Sequence, residues 1–190
     1  MNKPLILTTP KGIAKWPYLT EPDKEFNPEG LFHTKLSCSK ADSVNIKKAI
    51  DDMIAQEVKK QHDSSPDKEI KKSYPYTEEG DDIIFNFKMK ASGVRKSDKK
   101  AFTQEPNILN ADLTPFNKDQ KIWGDSILKI TFEPYAWNMS IGIGCTLRIK
   151  TVQVLELVTG KSSNTLGELK AEPIVAPKVK EEVSEGVFLP

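Results

Sequence analysis

The chain has 190 residues, a formal net charge of +1, 37% hydrophobic and 29% charged side chains. Disordered chains are poorer in apolar residues and membrane chains far richer, so one globular domain with a tail is expected. No apolar run approaches the ~20 residues that span a bilayer, and MNKPLILTTPKG offers too short an apolar stretch for a signal-peptide core, so no membrane association and a cytoplasmic setting are expected. The near-neutral total hides a split: from Gly167 onward there are five glutamates against three lysines, which leaves 22 acidic and 25 basic residues before it. A mildly basic body carries a mildly acidic tail.

Along the chain, LFHTKL at 31–36 alternates apolar and polar residues and predicts a strand. In 43–62, Ile46, Ala49, Ile50, Met53, Ile54 and Val58 recur at spacings of three and four. That period predicts one amphipathic helix, with Asp42 or Ser43 as its cap and Lys47, Lys48, Lys59 and Lys60 on its solvated face. Residues 63–75 and 93–122 are rich in turn formers and are read as long loops.

Between them lies IIFNFKMKA at 83–91, preceded by the turn EEGDD. Ile83, Phe85, Phe87, Met89 and Ala91 define a core face, and Asn86, Lys88 and Lys90 the opposite one. A further strand is predicted at 127–133. PYAWN follows at 134–138, placing Tyr135 and Trp137 on the connection to the next strand. In CTLRIK at 145–150, Cys145, Leu147 and Ile149 oppose Thr146, Arg148 and Lys150. Val152 and Val154 then fall on the other parity, as a bulge or a strand crossing a barrel corner would produce. Beyond about Thr159 the periodicity fades, and the domain is drawn at 1–160 with a flexible tail at 161–190.

Enzyme chemistry finds no footing. TGKS at 159–162 lacks the glycine that a phosphate-binding loop needs five residues before Gly160, because position 155 is leucine. GIGCTL at 142–147 lacks the third glycine of a dinucleotide fingerprint and leads into a strand. Cys38 and Cys145 lie within strand patterns and are read as buried, reduced thiols. His33 and His62 have no ligand partners at metal spacing, so no metal and no cofactor are expected.

About five strands with one helix, outward basic residues and a pair of flat side chains describe a mainly β protein of the OB-fold class, a five-stranded Greek-key barrel with a packed helix. Such barrels meet phosphates with lysine and arginine and stack unpaired bases on aromatic rings. Lys88, Lys90, Arg148 and Lys150 are the candidate phosphate contacts, Tyr135 and Trp137 the candidate stacking pair.

PYAWN at 134–138, with IGIGCTLRIKTVQVLELV at 141–158, EPDKEFNPEGLFHTKLS at 21–37 and IFNFKMKAS at 84–92, resembles in collinear order the single-stranded-DNA-binding proteins of short-tailed, T-seven-type bacteriophages. That resemblance implies an OB-fold that coats single-stranded DNA in replication, recombination and repair inside the host cytoplasm. It implies Lys88 and Lys129 in the basic groove and Tyr135 as the stacking ring, whereas Lys90 stands where a relative carries an aromatic. It also implies a C-terminal tail that reaches the phage DNA polymerase and helicase-primase, here through Glu181, Glu182, Glu185 and Phe188. This tail is shorter and less acidic than the family's and ends VFLP. A homodimer is left open. The competing reading is a virion or assembly protein with the same β body and no nucleic-acid role.

Overall fold

The computed structural model describes residues 4–25, 27–64, 70–95 and 97–159. The expected tail, with Glu181, Glu182, Glu185 and Phe188, lies outside the described residues. In chain order the elements are β1 (Leu7–Thr8), β2 (Gly12–Asp23), β3 (Leu31–Ser39), α1 (Lys40–Ser64), β4 (Lys72–Ser73), β5 (Tyr76–Glu79), β6 (Asp82–Lys90), β7 (Ser92–Val94), β8 (Ala101–Thr103), β9 (Asn107–Asn110), β10 (Ile127–Met139) and β11 (Gly142–Glu156).

Five long strands close on themselves. β2 pairs with β3, β3 with β6, β6 with β11 and β11 with β10, and β10 returns to β2 through Ile127 opposite Ile13 and Leu128 opposite Gly12. All these pairings are antiparallel except β6 with β11, which is parallel. This is the expected mainly β, five-stranded barrel with one packed helix. Closure removes the open edges that an isolated sheet would expose.

The alternation read from the sequence sorts residues as expected on β6 and β11. Ile83, Phe85 and Phe87 are buried while Lys88 and Lys90 are exposed; Cys145, Leu147 and Ile149 are buried while Arg148 and Lys150 are exposed. The bulge is present too: Thr131 faces Thr151 and Phe132 faces Ile149, so Lys150 has no opposite number and the inward phase passes to Val152 and Val154. Phe85, Phe87 and Phe132 are fully enclosed. Phe87 and Phe132 meet edge-on with centroids 5.2 Å apart, and each buried ring contributes roughly 1.5–3 kcal/mol of transfer free energy.

Other expectations need correction. The helix begins at Lys40, three residues before the predicted start, and its first N–H is satisfied by the Asp81 carbonyl at 2.8 Å. Ser43 therefore lies inside the helix, fully buried, and its hydroxyl finds no hydrogen-bond partner among the described residues. Lys47 is not a free solvated lysine. Its ammonium bonds Asp51 at 2.8 Å and lies 5.3 Å from the Tyr76 ring centroid, while the Tyr76 hydroxyl donates to the same Asp51. The bond to Asp51 raises the Lys47 pKa, and burial pushes the Tyr76 phenol up to about 12. This cluster pins the helix to β5.

The 93–122 segment holds more order than its turn formers indicated. β7 and β8 make a hairpin, and β9 runs parallel to β11 from Asn107 opposite Thr151 to Asn110 opposite Val154. β2 escaped the sequence reading because Pro17 and Pro22 interrupt its pattern. Its pairing with β3 shifts register after Lys15 and again after Tyr18, where the prolines remove donors from the ladder.

Candidate nucleic-acid interface

A groove of about 920 Å³ runs over the outer face of the barrel. Its floor comes from the parallel β6–β11 junction, where Lys88 sits beside Arg148, with Lys90 and Lys150 one outward position further along. β10 supplies Tyr135 and Trp137 on one side, and the β7–β8 hairpin and its flanks supply Arg95, Phe102 and Gln104 on the other. Six of the seven candidate contacts from the sequence, Lys88, Lys90, Tyr135, Trp137, Arg148 and Lys150, thus line one cleft.

Tyr135 and Trp137 do not lie on a connection. β10 runs through them to Met139, and the turn is formed by Ser140 and Ile141. Tyr135 pairs with Thr146 and Trp137 with Gly144 across the hairpin. Strand ladders fix both rings more tightly than a loop would. The missing side chain at Gly144 makes room for the indole: a Cβ there would stand 2.5 Å from Trp137 Cζ2 and 2.7 Å from the Ser73 carbonyl oxygen. Gly142 has φ +138, a conformation suited to glycine at the start of β11.

The Arg148 guanidinium lies over Tyr135, 3.6 Å from the ring centroid. One face of the ring is thereby covered by a cation, and the residue is still 45% exposed, so part of the ring remains accessible. Lys129 lies outside the groove. It is half-buried six residues before Tyr135, opposite Gln153, so roughly 20 Å of strand separates them.

The groove cations are not equally free. Lys90 pairs with Glu29 at 3.2 Å, Lys150 with Glu133 at 2.7 Å and Arg95 with Asp98 at 3.9 Å. Among the described residues Lys88 and Arg148 form no ion pair. The groove therefore holds two cations without a carboxylate partner among the described residues and three that are paired. Sequence reasoning missed Arg95 and Phe102, because the hairpin that carries them was read as loop.

Neither thiol is placed to react. Burial raises the Cys38 pKa to about 12 and the Cys145 pKa to about 11, so both remain protonated and unreactive near neutral pH.

No protein-family model matches the sequence, and no curated protein matches it. Solved structures do match. The crystal structure of gp2.5, a single-stranded DNA binding protein encoded by bacteriophage T7, superposes with a TM-score of 0.67 at 24% identity, covering 84% of this chain and 96% of that one. This chain shares its fold. The single-stranded DNA-binding protein from bacteriophage Enc34 matches with a TM-score of 0.53 at 11% identity over 84% of this chain and 86% of its own. The same Enc34 protein in complex with ssDNA matches with a TM-score of 0.53 at 12% identity over 80% of this chain and 86% of its own. The likeness read from PYAWN and its companion stretches therefore agrees with a likeness of fold.

Proposed function

We propose that this chain is a binding protein rather than an enzyme, and that it holds single-stranded DNA without reading its sequence. The observation that carries this reading is the convergence of five cations, Lys88, Lys90, Arg95, Arg148 and Lys150, with Tyr135, Trp137 and Phe102 in one groove. Phosphates meet the cations, and bases stack on the rings, to which every base offers the same π-face. A single strand can turn its bases toward the protein, whereas a duplex keeps them stacked inside. The shared fold of the T7 and Enc34 proteins, which bind single-stranded DNA by name, supports the same reading.

On this reading the protein serves phage DNA replication, recombination and repair in the host cytoplasm, and its tail recruits the phage polymerase and helicase-primase. The support for that finer part is the sequence resemblance.

Titration of the three tryptophans' fluorescence with oligo-dT, oligo-dA and a duplex tests the central statement. Five neutralised phosphates, at roughly −0.7 per contact on single strands, give a slope of about −3.5. Affinity for both oligonucleotides then falls on the order of a hundredfold between about 50 and 200 mM salt, and the duplex binds more weakly. A flat salt response, or a preference for duplex, refutes the proposal.

A further inference from the structure

The geometry points to a second base-stacking platform on β2 and β3, built from Trp16 and the Tyr18–His33 pair, that extends the track of the bound strand beyond the groove. This rests on the single-strand reading above.

Trp16 is 66% exposed and adopts φ 49. The left-handed region is a genuine outlier for so bulky a side chain, and backbone strain of this kind concentrates at functional sites. The strain has a visible effect. Pro17 is buried beside it, the β2–β3 register slips there, and the indole is turned out into solvent. Lys35 stands over the ring, its Nζ 5.2 Å from the centroid, much as Arg148 stands over Tyr135.

Tyr18, 40% exposed, stacks on His33 with centroids 4.9 Å apart and planes 26° apart. The Asp23 carboxylate fixes the imidazole from its edge, with Nε2 and Oδ2 3.2 Å apart. A backbone N–H from Glu25 and then the His33 contact hold the Asp23 pKa below its usual value.

The register connects this surface to the groove. Tyr18 faces His33, His33 faces Lys88, and Lys88 faces Arg148, so four outward residues form one row across β2, β3, β6 and β11. Three strand spacings make that row about 14 Å long around the barrel. Its inner half is the pair of cations that carry no carboxylate partner among the described residues, a bridge for the phosphates between two stacking sites. Lys15 and Lys35 beside Trp16 favour a polyanion with flat groups, and among the described residues their ion pairing is limited to Glu79, which reaches Lys15 at 3.7 Å.

Trp16→Gly tests this. It removes the ring and suits the left-handed backbone, so the fold is kept. Two probes are used, an oligo-dT of about four nucleotides, which fits within one platform, and one of about twelve, which spans both. Affinity for the short probe is expected to stay at the wild-type level, and affinity for the long one to fall about 5- to 100-fold. Trp16→Phe is expected to restore most of the loss. Equal long-probe affinity in Trp16→Gly and wild type overturns the inference, as does an equal loss for both lengths. If wild type binds neither probe, the single-strand reading itself has failed.

Discussion

Replacing Tyr135 by alanine separates stacking from charge in the groove. Base stacking on an aromatic is worth roughly 1–3 kcal/mol. Because Arg148 covers one face of this ring, only a single base can stack, which places the expected cost in the lower half, about 1–2 kcal/mol or 5- to 30-fold in affinity. That loss comes from a neutral ring, so the log–log salt dependence of Tyr135→Ala should run parallel to wild type. Arg148→Ala removes one phosphate contact, and its slope should become shallower by about 0.7. The two side chains touch, so the double variant should lose less than the sum of the singles. Tyr135 is 45% exposed on an outward strand face, and its removal should lower stability by less than about 1 kcal/mol. Fluorescence anisotropy of labelled oligo-dT at several salt concentrations, with melting curves for each variant, measures all of this. A folded Tyr135→Ala protein with wild-type affinity, or with a shallower slope, would refute the stacking role.

Gly144→Ala forces a methyl group against the Trp137 indole and the Ser73 carbonyl. The overpacking should cost about 1–3 kcal/mol and lower Tm by roughly 2–10 °C, whereas an unchanged Tm would show that the indole is free to move. Ser43→Ala deletes a buried hydroxyl without a partner among the described residues and should be neutral or stabilising by up to about 1 kcal/mol in urea unfolding; a clear loss would mean the hydroxyl is satisfied after all. Deletion of 167–190, with its five glutamates and three lysines, should raise oligo-dT affinity a fewfold at low salt and not at high salt. Equal low-salt affinities would exclude competition between tail and groove, and polymerase capture that survives truncation would move the partner site to the body.

The sequence by itself determined the inward and outward faces of β6 and β11, the helical stripe of Ile46, Ile50 and Ile54, and the bulge that turns β11 at Lys150. Each of these is a local period, set by the geometry of two residues per strand repeat or 3.6 per helical turn, and legible without knowing any partner. Only the tertiary structure decided that β10 continues through Tyr135 and Trp137, since that extension is held by the ladder to β11 and by the space left at Gly144. It alone placed Lys88 of β6 beside Arg148 of β11, sixty residues later in the chain, through a parallel pairing no periodicity announces. The pairing of Lys90 with Glu29 and of Lys150 with Glu133, which divides the groove into free and engaged cations, has the same origin. So does β2: its two prolines hide the strand from any local reading, and the closure of the barrel against β3 and β10 imposes it, with Trp16 turned outward as a result. Periodicity is a property of a segment, whereas choice of neighbour depends on burying the whole apolar set at once, and that choice is what assembles the site.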